Sequence, residues 1–215
     1  MATAMEREPE GLRERKKRQT RETIAAAAMR LFKRRGFDAV TVAEIAAAAD
    51  VSEKTVFNYF PSKEDLVLSE GPARRAAAID AIRNRPPGTS LVQPFRELTM
   101  AYLDRVEHEP LESLVEIPRL VLASRALQQR LFVGWEEESA VLTPVIAEET
   151  GAAEGDLEPL VAARTLAWTH RLAFRAAFLR LLDGEDQREV AADLRRQANR
   201  AYDLLENGLA EYGTR

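Results

Sequence analysis

Three helix-capping signals in close succession confine one segment of this chain to short helices. Thr41 followed by Glu44 is a capping box, in which each side chain binds the backbone N–H of the other residue. Ser52 can accept a hydrogen bond from the first turn of a second helix. Ser62 with Asp65 predicts the start of a further helix, the fourth of the chain. The segment is therefore expected to hold two short helices and the start of another.

Small or apolar residues occupy the positions where the two short helices must cross, namely Ile45, Ala46, Ala49, Val51 and Val56. Ala46 and Ala49 must be small, because the helices approach closely there. Two short helices that cross at a tight turn predict a helix-turn-helix, whose second helix lies in the major groove of DNA.

The segment in front of these helices is strongly basic. Residues 13–35 carry ten Lys or Arg against two Glu, a net charge of +8, while the whole chain has a net charge of −4. Such segregation concentrates a phosphate-binding surface at one end. The alternative is a solvated helix face beside a disordered basic tail; the adjoining helix-turn-helix favours phosphate binding.

The composition restricts the other classes of function. Absence of cysteine removes disulfides, thiolate chemistry and the common zinc sites. The two histidines, His108 and His170, lie far apart in sequence, and we predict neither a metal site nor a cofactor. No apolar run reaches the roughly 18–20 residues that span a bilayer. With no resemblance to a signal peptide at its start, the chain is expected to be cytoplasmic and not to bind membranes.

Helical periodicity throughout predicts an all-α fold of two domains. Residues 1–12 are expected to be a disordered tail, residues 13–65 a three-helix DNA-binding domain, and residues 66–215 a larger helical domain. The first helix is expected from about Arg18 to Arg35, and the fourth to be interrupted or kinked at Gly71-Pro72 and to end near Arg85. Further helices are predicted at residues 91–107, 111–123, 125–150, 157–183 and 187–212.

The last two of these helices predict self-association. Residues 157–183 are apolar around most of the helix circumference, so this helix should be buried on more than one side. The final helix has one narrow apolar stripe, formed by Val190, Leu194, Ala201, Leu205 and Leu209. Two such helices from each of two chains would form a four-helix interface, and a homodimer would give a helix-turn-helix two half-sites. Alternatively, both helices complete a monomeric core.

The first 70 or so residues resemble the DNA-binding domain of the TetR family of transcriptional repressors. The matching segments are residues 21–32 (RETIAAAAMRLF), 35–46 (RGFDAVTVAEIA) and 51–66 (VSEKTVFNYFPSKEDL). Asp50 replaces a frequent glycine of the turn, but Asp tolerates the left-handed conformation well enough for the turn to persist. Asn58 replaces a common histidine, which is expected to change operator preference without changing the class.

Residue chemistry and this resemblance together nominate the DNA contacts. Lys54, Thr55 and Asn58 project from one side of the second short helix; Asn suits adenine, and Lys suits guanine or phosphate. The resemblance implies that Phe57 also touches DNA, although it could serve packing only, and that Thr41 holds a phosphate, although it could be a cap only. The predicted DNA-binding residues are Thr41, Ser52, Lys54, Thr55, Phe57, Asn58, Tyr59 and Lys63.

The resemblance also implies an inducer pocket in the remaining two thirds of the chain. Candidate lining residues are large aromatic or basic side chains within helices: Phe95, Tyr102, Arg119, Trp135, Trp168, Arg171, Phe174, Arg175 and Phe178. A mostly apolar cavity with one or two Arg would suit an amphipathic anion, such as a fatty acyl group or an aromatic acid. The alternative is an aromatic core with surface Arg.

The expected function is therefore a ligand-responsive repressor, a homodimer that binds a palindromic DNA operator and is released by a small-molecule effector. A DNA-binding protein without an effector, constitutive or architectural, is the second hypothesis. An all-helical enzyme is a third, but the sequence has no Ser-His-acid grouping and no glycine-rich phosphate loop to support it.

Overall fold

Residues 11–209, the part of the chain that the computed structural model describes, form nine α-helices and no β-strand, which confirms the all-α fold class. Most of the expected disordered tail, residues 1–10, lies outside the described residues. The helices are α1 (Leu12–Arg35), α2 (Val42–Ala48), α3 (Glu53–Tyr59), α4 (Gly71–Arg83), α5 (Val92–His108), α6 (Leu111–Ala123), α7 (Arg125–Thr150), α8 (Glu158–Leu182) and α9 (Gln187–Leu209). Within residues 11–209 no helix combines the length and apolarity needed to cross a membrane.

Two helix starts differ from those predicted. Helix α1 begins at Leu12, not near Arg18, because the Arg and Lys residues of its first turns are good helix formers. Only a single 3₁₀ turn, Glu64–Leu66, follows Ser62, and α4 begins at Gly71. Pro72 lies in the first turn of α4, where its missing N–H costs nothing, whereas a helix running through Pro72 from Ser62 would lose a hydrogen bond.

The chain divides between Ser69 and Glu70 into two compact units. In the first unit, α1 packs against α2, and α2 against α3. Its fully buried side chains include Ile24 and Phe32 of α1, Ile45 of α2, Val56 of α3 and Phe60. Gly36, which has no Cβ, takes φ 77° just after α1. The Phe37 side chain then folds back, so that its ring centroid lies 5.1 Å from that of Phe32.

In the second unit, α5, α8 and α9 pack against one another, and α7 packs on both α4 and α8. Val190 and Leu194 of α9 are buried in this core, so at these positions the predicted stripe contacts its own chain and not a partner. Helix α8 is also buried on one side, at Leu166 and Ala167, but its opposite side leaves Val161 and Leu172 more than half exposed. An apolar face of α8 therefore stays open to solvent.

Candidate DNA interface

The caps predicted for the two short helices are present. The Thr41 hydroxyl accepts a hydrogen bond from the Glu44 N–H, and the Glu44 carboxylate accepts one from the Thr41 N–H at 2.8 Å. The Ser52 hydroxyl accepts from the Thr55 N–H at 3.1 Å. Both helices are therefore fixed at their first turns, which are the ends that approach DNA in a helix-turn-helix.

The turn between α2 and α3 depends on Asp50. Asp50 has φ 54°, the left-handed conformation expected of it, and Val51 N–H then donates back to the Ala46 carbonyl at 3.0 Å. Ala46 and Ala49 are buried, so the close approach predicted for these positions is present. The sequence VSEKTVFNY therefore begins a second helix immediately after the turn.

Helix α3 buries one side and presents the other. Val56 is buried, while Lys54, Phe57 and Asn58 are exposed and lie within about half a turn of each other around the helix axis. Phe57 is 48% exposed, so about half of its surface is open to solvent. Glu53 is exposed beside Phe57; sequence reasoning did not select it, although its place next to the Ser52 cap puts it on the same face.

The smaller predicted contacts are already hydrogen-bonded within the protein. The hydroxyls of Ser52 and Thr55 lie 2.8 Å apart, and Thr55 is half-buried. The Thr41 hydroxyl lies 3.0 Å from a Glu44 carboxylate oxygen. The backbone N–H of Thr41 and the Arg35 guanidinium together lower the pKa of Glu44 to about 2. These groups hold the helix starts in place whether or not they also meet phosphate.

Tyr59 and Lys63 lie where α3 meets the rest of the first unit. Arg21 of α1 donates to the Tyr59 carbonyl at 2.9 Å, and its guanidinium lies 4.3 Å from the centroid of the Phe60 ring. Lys63 donates to two backbone carbonyls of the connection between α1 and α2, which leaves one ammonium proton for a phosphate. Sequence reasoning missed the anchoring role of Arg21, because no local signal indicates a partner 38 positions away.

The nine side chains predicted for a ligand pocket do not form one cluster. Trp135, Trp168 and Arg171 form one group, with the two indole centroids 5.2 Å apart. Tyr102, Phe174 and Phe178 form another, with the Tyr102 and Phe174 rings 4.6 Å apart. The three that remain are the buried core residue Phe95 and the exposed Arg119 and Arg175.

A buried polar network borders the second aromatic group. The Thr99 hydroxyl donates to the Phe95 carbonyl and lies 2.7 Å from the Tyr202 hydroxyl and 2.8 Å from Nδ1 of His170. Burial lowers the pKa of His170 to about 4, so this imidazole is neutral at pH 7. The sequence did not indicate His170 as a pocket residue, because no partner lies near it in the chain. The fold brings Thr99 and Tyr202 to it.

The run Glu136, Glu137 and Glu138 ties α7 to its neighbours. Glu136 pairs with Arg164 and Glu138 with Arg171, both of α8, and Glu137 pairs with Arg75 of α4. A run of three acids is typical of a solvated helix face, but the side chain of Glu138 is largely buried. Arg171 thus meets a carboxylate of its own chain before any ligand arrives.

Comparison with known proteins finds a matching family model and similar proteins. The family model described as bacterial regulatory proteins, tetR family, matches residues 24–69. The HTH-type transcriptional regulator TcmR of Streptomyces glaucescens is 31% identical over 176 residues, which cover 79% of this chain and 78% of that protein.

Solved structures extend the likeness of fold to nearly the whole chain. Salmonella enterica GusR superimposes with a TM-score of 0.54 at 23% identity and covers 89% of this chain and 96% of its own. The protein of the SmeT–triclosan complex superimposes with a TM-score of 0.57 at 19% identity and covers 88% of this chain and 91% of its own. At these identities the likeness concerns the fold alone.

Proposed function

The chain belongs to the TetR family of bacterial transcriptional regulators, and we propose that it is a homodimeric repressor that a small-molecule effector releases from a palindromic operator. In this proposal residues 13–65 bind DNA, and residues 66–215 bind the effector and form the dimer. The protein acts in the cytoplasm and catalyses no reaction.

The outer face of α3 carries this proposal. Lys54, Phe57 and Asn58 are exposed together on a helix whose position is fixed by a cap, a left-handed turn and a buried valine. These side chains supply a cation, an apolar contact for a thymine methyl and an amide for adenine. Eight further basic side chains of α1 precede this face in the same unit, counting Arg13 to Arg34 without the anchored Arg21. They would add salt-dependent affinity for phosphate.

The exposed face of α8 supports self-association. Val161, Trp168 and Leu172 recur at helical spacing and are 55%, 36% and 57% exposed. An apolar stripe of this kind on the last-but-one helix suits a second copy of the same helix across a two-fold axis. A dimer presents two α3 helices, as a palindromic site requires.

Effector release then follows from a population shift. A ligand that binds better to a conformation with wrongly spaced α3 helices draws the dimer away from its operator. The aromatic groups around Trp135 and Tyr102 are the proposed location of that ligand.

Selection from random duplex DNA, followed by a salt titration of the winning site, tests the regulator proposal. We expect a two-fold symmetric motif that binds at least about 10³-fold more tightly than scrambled DNA. Asn58→Ala should relax the selected sequence at one position in each half-site, whereas Arg188→Ala, which removes a charge from the exposed start of α9, should leave the motif unchanged.

Failure to enrich any motif, with binding that fades as salt rises, would contradict sequence-specific regulation. Selection of an asymmetric site would contradict the dimer. A symmetric operator whose affinity no small molecule alters would leave a constitutive DNA-binding protein in place of a ligand-responsive one.

A further inference from the structure

Arg171 of α8 is one of two buried arginines among the described residues of the second unit, the other being Arg85. Arg171 is 8% exposed, and its Nη2 group donates to the Glu138 carboxylate at 2.7 Å and to the Trp135 carbonyl at 3.2 Å. Its Nε and Nη1 atoms are the only buried side-chain nitrogen or oxygen atoms within residues 11–209 that lack a hydrogen-bond partner. Buried donors without acceptors are costly, so they indicate a site that another molecule completes.

Aromatic surface surrounds these two donors. The guanidinium carbon lies 5.3 Å from the ring centroid of Trp135 and 5.7 Å from that of Trp168. The ring of Phe132, half exposed, continues this surface at 6.4 Å from Trp135. Indole faces attract the cation but are weaker acceptors than an oxygen atom. A flat aromatic ligand can therefore stack here while its oxygen accepts from Arg171.

The charge of the site selects among such ligands. Glu138 already balances Arg171, and both side chains are largely buried. A ligand carboxylate on Nε or Nη1 would lie within one guanidinium's width of the Glu138 carboxylate, and the pair of anions would share a single buried cation. A carbonyl or hydroxyl oxygen accepts the same hydrogen bonds without adding charge. The expectation of an amphipathic anion came from one or two Arg in a mostly apolar cavity, whereas Arg171 already pairs with Glu138.

We propose that Trp135, Trp168 and Arg171 bind an uncharged aromatic compound through a carbonyl or hydroxyl oxygen, with Glu138 excluding the corresponding acids. This inference rests on the proposed effector function, since it names the ligand class of the second unit. Glu138 acts as a specificity residue, because it determines which charge the ligand can carry.

Three probes of one shape test the ligand class on the full chain without DNA. They are 2-acetylnaphthalene, which has a neutral carbonyl, 2-naphthoate, which is an anion at pH 7, and 2-ethylnaphthalene, which has no oxygen. Isothermal titration calorimetry should show 2-acetylnaphthalene binding at least about tenfold more tightly than either of the others. Both tryptophans of the chain lie in this site, so the same titration should quench tryptophan emission with the same Kd.

Glu138→Gln provides the decisive variant. It keeps a side chain of similar shape but leaves the Arg171 charge unbalanced, so 2-naphthoate should gain more affinity than the gap that separates it from the ketone in the wild type, and should then bind more tightly than the ketone. Glu136→Gln is the matched control, because it removes the neighbouring acid, which pairs with Arg164 on the surface. That variant should keep the wild-type order. Arg171→Met should reduce the affinity for the ketone to that for 2-ethylnaphthalene. If the Arg171→Met protein does not fold, the reversal in Glu138→Gln still tests the site.

Equal binding of the three probes, no binding of any, or the same order in both Glu variants would overturn the proposal. None of these results would affect operator selection, which is measured on DNA alone. Conversely, the expected reversal without an effect of the ketone on operator binding would retain the site and contradict its role as effector site.

Discussion

Lys63 holds Phe37 from two directions: its ammonium donates to the Phe37 carbonyl at 3.1 Å and lies 4.2 Å from the centroid of the Phe37 ring. The same ammonium donates to the Val40 carbonyl at 3.0 Å. Lys63 follows α3, whereas Phe37 and Val40 belong to the connection that leads into α2. This residue, which is predicted to bind DNA, therefore also fixes α2 relative to the end of α3.

Lys63→Met is expected to lower both DNA affinity and stability. The variant removes two hydrogen bonds from a charged donor and one cation–π contact, so the free energy of unfolding should fall by about 1–2 kcal/mol. Lys54→Met, on the exposed face of α3, should lower DNA affinity with little change in stability. Urea denaturation of both variants distinguishes the roles; equal stability of both would contradict the anchoring role of Lys63.

The left-handed conformation of Asp50 carries a cost that glycine would remove. Asp50→Gly should raise the free energy of unfolding or leave it unchanged, while Asp50→Ala should lower it by about 1 kcal/mol. Ala48→Gly and Ala48→Asp are the equivalent pair at exposed Ala48. This position lies within α2, where glycine should destabilise the protein more than aspartate does. Thermal unfolding of the four variants should therefore show opposite signs for glycine at positions 48 and 50.

The pKa of Glu44 predicts a stability change in acid. Its folded-state pKa is about 2 against an ordinary value of 4.5, because the Thr41 N–H, and then the Arg35 guanidinium, favour the carboxylate. The ionised form therefore stabilises the fold fully above about pH 4.5, and this contribution is lost as the pH falls toward 2. Glu44→Gln should flatten the fall of Tm in that window, while Glu53→Gln, which removes a charge from the next helix, should not. A parallel fall in wild type and Glu44→Gln would contradict the assignment.

The sequence predicts the helix-turn-helix well because its determinants are local. A cap and its partner lie three residues apart, and the left-handed conformation at position 50 depends on the residue type at that position. The predicted bounds of α5 to α8 agree with those observed to within about one residue, because Pro110, Ser124, Gly151 and Gly184 mark their ends. The predicted start of α4 was wrong because two local signals compete there. The Ser62 cap indicates a helix start, but Pro72 determines where α4 begins.

The ligand region is less predictable, because it depends on which faces of distant helices meet. Glu138 and Arg171 are 33 positions apart, and only the packing of α7 on α8 makes them partners. Without that pairing Arg171 reads as a free cation, and the predicted ligand becomes an anion. The sequence could nominate Trp135, Trp168 and Arg171 by chemistry, but the charge balance of the site depends on the fold.

Leu172 tests whether the open face of α8 is the dimer interface. Its side chain is 57% exposed and shares a stripe with Val161 and Trp168. A charge placed there should therefore destabilise the dimer and not the single chain. Leu172→Glu should give a monomer by sedimentation velocity, with the free energy of unfolding of the single chain changed by no more than about 0.5 kcal/mol.

The same variant should lose operator affinity by at least about 10²-fold, since each half-site must then be bound separately. Leu122→Glu, at an exposed leucine of α6, is the matched control and should remain dimeric with full operator affinity. A Leu172→Glu protein that sediments as a dimer would show that another surface pairs the chains. In that case Trp168 would belong to the ligand site and not to the dimer interface.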